Sequence, residues 1–204
     1  MRIALIGRTE TLYDTAQLLQ QKGHEIALIV TAKEAPEYLR KAEDFEKLAR
    51  NLGVPFYCTS KIHELADSIS RLPAIDVGVS MNYSGILPES IINCFPLGVL
   101  NAHGGDLPRY RGNACQAWAI LNGEDRIGLC VHRMIGGELD SGDIVARDYF
   151  PVSIRTKITD VYSWMNVRIP ELFSEAVDRL SENPHFVLVT QSKSAKDCLR
   201  CYPL

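Results

Sequence analysis

Short apolar runs, each followed by a stretch with apolar residues at helical spacing, repeat along the first half of the chain. This alternation restricts the fold more than any other feature. Arg2-Ile3-Ala4-Leu5-Ile6-Gly7 and Ile26-Ala27-Leu28-Ile29-Val30 predict buried strands, because a short unbroken apolar run closed by a turn residue suits a strand covered on both faces. Between them Leu12, Ala16 and Leu19 mark a helix, with Thr9 or Thr11 placed to cap it and Gly23 to stop it. Phe45, Leu48, Ala49 and Leu52 predict a second helix ending at Gly53. Val54 to Tyr57 is a third strand, Ile62, Leu65, Ala66 and Ile69 a third helix, Ile75 to Val79 a fourth strand, and Gly98-Val99-Leu100 the start of a fifth. Strands alternating with helices imply right-handed βαβ crossovers. The expected class is therefore α/β, a mostly parallel twisted sheet flanked by helices.

The rhythm changes after residue 124. Ile127 to His132 and Asp143 to Ala146 look like two strands joined by a glycine-rich turn. Val161 to Leu180 predicts a long amphipathic helix that Pro170 should kink or split, and Phe186 to Val189 a last short strand. With no repeat and no linker composition, residues 1–204 are taken as one domain.

Composition narrows the partners. The 204 residues are 46% apolar and 23% charged, the balance of a folded chain. Twenty-two Lys and Arg against 25 Asp and Glu leave −3, without the basic excess a nucleic-acid binder carries. No apolar run approaches the ~20 residues of a membrane span. The first run stops at Gly7-Arg8, too short for a signal peptide, so a cytoplasmic location is expected. The cysteines stand mostly alone among apolar neighbours and are expected as thiols. The close pair Cys198 and Cys201 lacks the second pair or spaced histidines that zinc requires, so no metal is expected. Gly7 is followed by Arg-Thr-Glu-Thr-Leu rather than by the spaced glycines of a dinucleotide loop. Arg8, at a helix start, suits either a ligand's anionic group or plain solvent.

In open α/β sheets, ligands sit beyond the carboxyl ends of the strands. There the fifth strand carries Asn101 and His103, which alternation puts on one side. An amide donor beside an imidazole supplies the parts of an oxyanion site with a proton-handling partner, or, for the pair alone, simply a structural strand end. Gly136-Gly137-Glu138-Leu139-Asp140-Ser141-Gly142-Asp143 is an acidic loop between glycines, able to bring a carboxylate to His103 or simply to sit in solvent. Leu107-Pro108-Arg109-Tyr110-Arg111-Gly112-Asn113 leads into a helix from Ala114 to Asn122 and is either substrate-facing or an exposed connection.

Taken together, Leu100-Asn101-Ala102-His103, Leu107-Pro108-Arg109-Tyr110-Arg111-Gly112 and Leu139-Asp140-Ser141-Gly142 resemble, in order and spacing, the motifs of the folate-dependent formyltransferases. The resemblance implies N10-formyltetrahydrofolate as donor, a primary amine as acceptor and no metal. It puts Asn101, His103 and Asp140 on the catalytic trio. Asn101 and His103 would stabilise the oxyanion, and Asp140 would orient His103 and help move protons. The donor's pterin would lie against backbone of Tyr83-Ser84-Gly85-Ile86-Leu87 and of Ile135-Gly136-Gly137-Glu138-Leu139. Arg8, Tyr110, Arg111 and Gly112 would meet the acceptor, and His132 matches a position near the site. The segments around Tyr110, Trp118 and His132 look most like the enzymes that formylate a nucleotide-linked amino sugar. Glycinamide ribonucleotide, methionyl-tRNA, plain hydrolysis of formyl-folate, and a non-catalytic folate or sugar-nucleotide binder stand as alternatives. The resemblance leaves room for a homodimer and for a further C-terminal piece. One departure concerns His103-Gly104-Gly105-Asp106, where the family pattern has His-Pro-Ser-Leu; it puts the acceptor pocket's details in question.

Overall fold

The structure, a computed structural model, describes residues 1–191 and 199–201, the last three as backbone alone. It forms two compact units, Met1–Asn101 and Ala102–Leu204.

In the first unit the predicted alternation is realised. The elements are β1 (Arg2–Gly7), α1 (Glu10–Gln21), β2 (Glu25–Thr31), α2 (Ala42–Leu52), β3 (Phe56–Cys58), a 3-10 turn (Ile62–Leu65) running into α3 (Ala66–Ser70), β4 (Val77–Met81), α4 (Glu89–Ile92) and the start of β5 (Val99–His103). The strands lie in the order β3-β2-β1-β4-β5, every pair parallel. The apolar runs of β1, β2 and β4 are almost wholly buried, as both-faced coverage requires. α1 turns Thr11, Leu12, Thr15, Ala16 and Leu19 inward. α2 ends on Gly53 in the left-handed region, as the sequence predicts. The expected threonine cap of α1 is not formed. Thr9 has a φ of 90°, which turns its hydroxyl away from the first-turn amides and onto the Thr11 hydroxyl, 2.8 Å away.

The second unit holds the end of β5, then β6 (Tyr110–Gly112), α5 (Cys115–Leu121), β7 (Arg126–Arg133), β8 (Ile144–Pro151), α6 (Ile158–Glu182) and β9 (Leu199–Cys201). β7 and β8 pair antiparallel, and β6 pairs parallel with β9. The strand set is thus mostly parallel, with β7–β8 the antiparallel pair. α6 is not split at Pro170 but continues through it. An interior proline costs about 3 kcal/mol, but ten residues of α6 including Pro170 are buried, and that packing outweighs the lost hydrogen bond. The strand expected over Phe186 to Val189 reduces to one bridge between Val189 and Ile144. Phe186 is still closing a turn onto the Asn183 carbonyl, so only the last residues reach a partner. Cys198 lies outside the described residues. Cys58, Cys94, Cys115 and Cys130 are free thiols. Among the described residues no helix is long and apolar enough to cross a membrane, and no cluster of three or more His, Cys, Asp or Glu is arranged to hold a metal ion.

Candidate active site

β5 delivers His103 to its carboxyl end, buried, with Asn101 two positions earlier on the same strand face. The ring is fixed from the Nε2 side: Nε2 lies 2.7 Å from the Tyr110 carbonyl. A carbonyl only accepts, so Nε2 carries the hydrogen and the neutral ring presents a lone pair at Nδ1. Tyr110 is itself anchored by its hydroxyl, which donates to Glu124 (2.6 Å) and accepts from Asn122 (3.1 Å). Arg109 holds Glu124 in place at 2.6 Å. The tyrosine side chain thus reaches toward the far end of α5 while its backbone serves the imidazole. Gly105 makes the approach feasible. A Cβ there would stand 2.6 Å from both His103 Nε2 and the Tyr110 oxygen.

Asp140 supplies the carboxylate. Its Oδ2 lies 3.5 Å from His103 Nδ1 and accepts the Gly112 amide at 3.0 Å. Its Oδ1 lies 3.5 Å from Nε2 of His132, whose Nδ1 donates to the Arg133 carbonyl at 2.9 Å. His132 is aimed by an irregularity: the β7–β8 register slips between Val131 and His132, and such slips redirect side chains beside active sites. Burial alone would push the Asp140 carboxyl up. The two imidazoles beside it, His132 foremost, and the Gly112 amide more than offset it and bring the group down to about 2. Burial drives His103 below the ordinary imidazole range, aided by His132 and Arg111 and opposed by Asp140. At neutral pH the arrangement is a neutral ring whose free nitrogen faces an anion. A proton reaching that nitrogen is held by the carboxylate 3.5 Å away.

The other predicted residues divide between the two units. In the C-terminal unit, Gly112 reaches Asp140 through its amide, and Arg111 donates to the Gln191 side chain at 2.9 Å. Ile135 to Leu139 form a turn closed by the Glu138 amide on the Ile135 carbonyl, with Gly137 at φ 75° and Leu139 exposed, leading directly into Asp140. Glu138 accepts the Ser141 hydroxyl at 2.6 Å. In the N-terminal unit, Tyr83 to Leu87 lie in the loop after β4. Ser84, Gly85 and Ile86 are exposed and Leu87 is buried, and the Tyr83 hydroxyl donates to the Thr59 carbonyl at 2.7 Å. Arg8, also there, donates to the carbonyls of Asn82 (2.9 Å) and Lys33 (2.8 Å) and faces the Tyr38 ring.

The departure at residues 104–106 brings small residues against movable side chains and a carboxylate against a tyrosine. A Cβ on Gly104 would fall within 1.8 Å of Gln116 and 2.7 Å of Met165. Asp106 accepts the Tyr149 hydroxyl at 3.1 Å, with Arg147 3.8 Å away. Two neighbours of the site escaped the sequence reading: Cys115, whose Sγ is 3.6 Å from His103 Nε2, and Gln191, beyond α6. Cys115 shares the buried face of α5 with Ala119 but lies in no motif, and Gln191 lies in neither a motif nor a helix, so only the folded chain brings them to the site.

A family profile described as formyl transferase matches residues 1–177. The methionyl-tRNA formyltransferase of Citrifermentans bemidjiense is 28% identical over 207 residues, covering 99% of this chain and 63% of that protein. That of Afipia carboxidovorans is 31% identical over 186 residues, covering 89% of this chain and 60% of its own length. The chain thus spans about 60% of these curated relatives. Glycinamide ribonucleotide transformylase 1 from Symbiobacterium toebii shares the fold at a TM-score of 0.73 and 22% identity, covering 94% of this chain and 92% of that one. An N-formyltransferase from Helicobacter canadensis, solved with folinic acid and dTDP-3-aminofucose, does so at 0.72 and 18%, covering 97% of this chain and 70% of that one.

Proposed function

The chain belongs to the formyl transferase family, and on that premise we propose that it transfers a formyl group from N10-formyltetrahydrofolate to a primary amine. The observation that carries this reading is the pinned imidazole: His103 gives Nε2–H to the Tyr110 carbonyl and turns Nδ1 toward the ionised Asp140.

In this mechanism the acceptor amine adds to the formyl carbon, and negative charge grows on the formyl oxygen. Asn101 donates its amide hydrogen to that oxygen, and such a donor is worth about 2.7–4 kcal/mol in comparable sites. His103 Nδ1 takes a proton from the attacking nitrogen. Asp140 stabilises the resulting imidazolium, and the same ring returns the proton to the departing folate nitrogen. His103 donates to the oxyanion only after it has been protonated, because its other N–H is already committed. The flat donor ring system would rest on the backbone of the Ile135–Leu139 turn, where Gly136 and Gly137 raise no side-chain wall. The Tyr83–Leu87 loop of the N-terminal unit is the other donor-binding segment of this reading.

For the acceptor, the reading favours a nucleotide-linked amino sugar met by Arg8, Tyr110, Arg111 and Gly112. Glycinamide ribonucleotide would call for backbone amides after β1 turned to a phosphate, whereas the Arg8 amide donates to Met81 at 2.9 Å. A tRNA acceptor would call for a basic surface, and the net charge is −3. The test incubates the protein with N10-formyltetrahydrofolate and, separately, a panel of nucleotide-linked amino sugars, glycinamide ribonucleotide, methionyl-tRNA, or no amine. The expected result is one formyl group added to a sugar amine, with kcat/KM at least about tenfold above the other acceptors. Preference for another amine replaces the acceptor assignment. Folate release with no amine present converts the reading to hydrolysis, and no reaction in any arm overturns it.

A further inference from the structure

Beyond α6 the chain comes back to the Asp140 loop. Gln191 is 6% exposed, and its side-chain amide is fully engaged. Nε2 donates to the carbonyls of Asp140 (3.0 Å) and Gly142 (2.6 Å), while Oε1 accepts from Arg111 at 2.9 Å. The two carbonyls bracket a tight turn. Asp140 sits at φ 50°, a region costly for a residue with a side chain. Gly142 passes so close to Arg133 that a Cβ would lie 1.9 Å from its carbonyl. Arg111 immediately precedes Gly112, whose amide holds the Asp140 carboxylate. One side chain therefore holds the Asp140–Gly142 backbone directly and meets the segment that carries the Gly112 amide through the Arg111 guanidinium.

We infer that Gln191 is a positioning residue, a strap that acts through the Asp140–Gly142 turn to hold the carboxylate against His103. This rests on the roles proposed for His103 and Asp140. The strap makes a distinction that ordinary packing does not. Its two donors fix the turn and its one acceptor fixes Arg111, so a variant can remove the first and keep the second.

The experiment compares Gln191→Ala and Gln191→Glu in the full chain. The glutamate is nearly isosteric and still accepts from Arg111, but it sets a carboxylate against two carbonyls. Both variants are expected to lose about 10- to 100-fold in kcat, the usual cost of losing an outer-shell support. KM for N10-formyltetrahydrofolate should stay within about threefold, because the bound donor is not what the strap touches. In the protein without substrate, histidine NMR should show the His103 titration midpoint displaced by about half a pH unit or more. If Gln191→Glu keeps wild-type kcat, the donors are irrelevant and the inference falls. It falls equally if both variants merely melt earlier, with kcat and the His103 midpoint unmoved. If the midpoint moves while the wild-type protein transfers no formyl group, the strap stands and the functional reading fails.

Discussion

At the strand ends of Met1–Asn101 Arg8, Tyr83 and Thr31 serve the backbone, whereas around His103, His132 and Asp140 in Ala102–Leu204 the backbone serves side chains. Arg8 spends its guanidinium on the Asn82 and Lys33 carbonyls, Tyr83 its hydroxyl on Thr59, and Thr31 its hydroxyl on Gly7. In the second unit, by contrast, the carbonyls of Tyr110 and Arg133 fix the tautomers of His103 and His132, and the Gly112 amide holds Asp140. The first pattern finishes a scaffold by satisfying its loose polar groups. The second uses rigid backbone dipoles to fix which ring nitrogen carries a hydrogen and where the carboxylate stands, which is the preorganisation that the proposed proton transfer requires. The contrast predicts where substitutions should be felt as lost chemistry and where only as lost stability.

The largest effects belong to the second unit and its boundary strand. His103→Ala should lower kcat/KM by about 10²–10⁴, the range for a positioned acid–base group. Asn101→Ala should cost about 10²–10³ in kcat. Steady-state kinetics on variants with wild-type circular dichroism check both, and near-normal turnover in His103→Ala would break the assignment of the site. Gly105→Ala follows. Its methyl must displace either the imidazole or the Tyr110 carbonyl, each 2.6 Å away. A shift of about 1 Å at a reacting group costs about 10²-fold. The accompanying overpacking should destabilise by about 1–3 kcal/mol in a urea melt.

These sites were not equally legible beforehand. The sheet could be read because an apolar run such as Ile26 to Val30 has one physical use, burial on both faces. Asn101 and His103 could be placed on one face because strand alternation fixes it. Asp140 was reached through motif resemblance, since nothing in an acidic turn distinguishes a solvated carboxylate from a buried one. The supports were beyond reach. The Tyr110 carbonyl is a backbone atom with no sequence signature, the register slip that aims His132 arises from strand pairing, and Gln191 lies 51 residues from Asp140. The split at Pro170 is absent for the converse reason: local propensity is outweighed by the buried face of α6.

Of intermediate size is the acid response. His103 must be neutral to accept a proton and its pKa lies below the usual 6.5, so kcat/KM should hold from pH 7 down to about 6.5 and fall only at lower pH. Stability should fall in the same direction. A buried neutral imidazole favours folding most above its unfolded pKa, and that contribution is lost as the solution is acidified. Asp140, lowered from 3.8 to about 2, adds about 2 kcal/mol that is fully present above pH 4 and lost as pH falls through about 2. Asp140→Asn should therefore be less stable by about that amount at pH 7, with the difference shrinking by pH 3. Urea melts at the two pH values measure it. A constant difference would mean that the carboxylate is not the ionised partner of the two imidazoles.

The smallest expected effect tests the contrast from the scaffold side. Arg8→Ala removes two hydrogen bonds to carbonyls and a cation–π contact. Exposed interactions of this kind are each worth about 0.5–1 kcal/mol, so Tm should fall by a few degrees. Turnover with saturating acceptor should stay within about twofold, because no atom of Arg8 enters the proton-transfer scheme. The acceptor KM is the informative number. Arg8 suits an anionic acceptor as a cation at a helix start, yet its Nε and Nη1 hydrogens already have carbonyl partners. A KM within about threefold of wild type would make Arg8 a clamp on the loops after β2 and β4 and leave acceptor recognition to Arg111 and its neighbours. A rise of about tenfold or more would show the guanidinium exchanging a carbonyl for the substrate, and the first unit would then share in recognition as well as support.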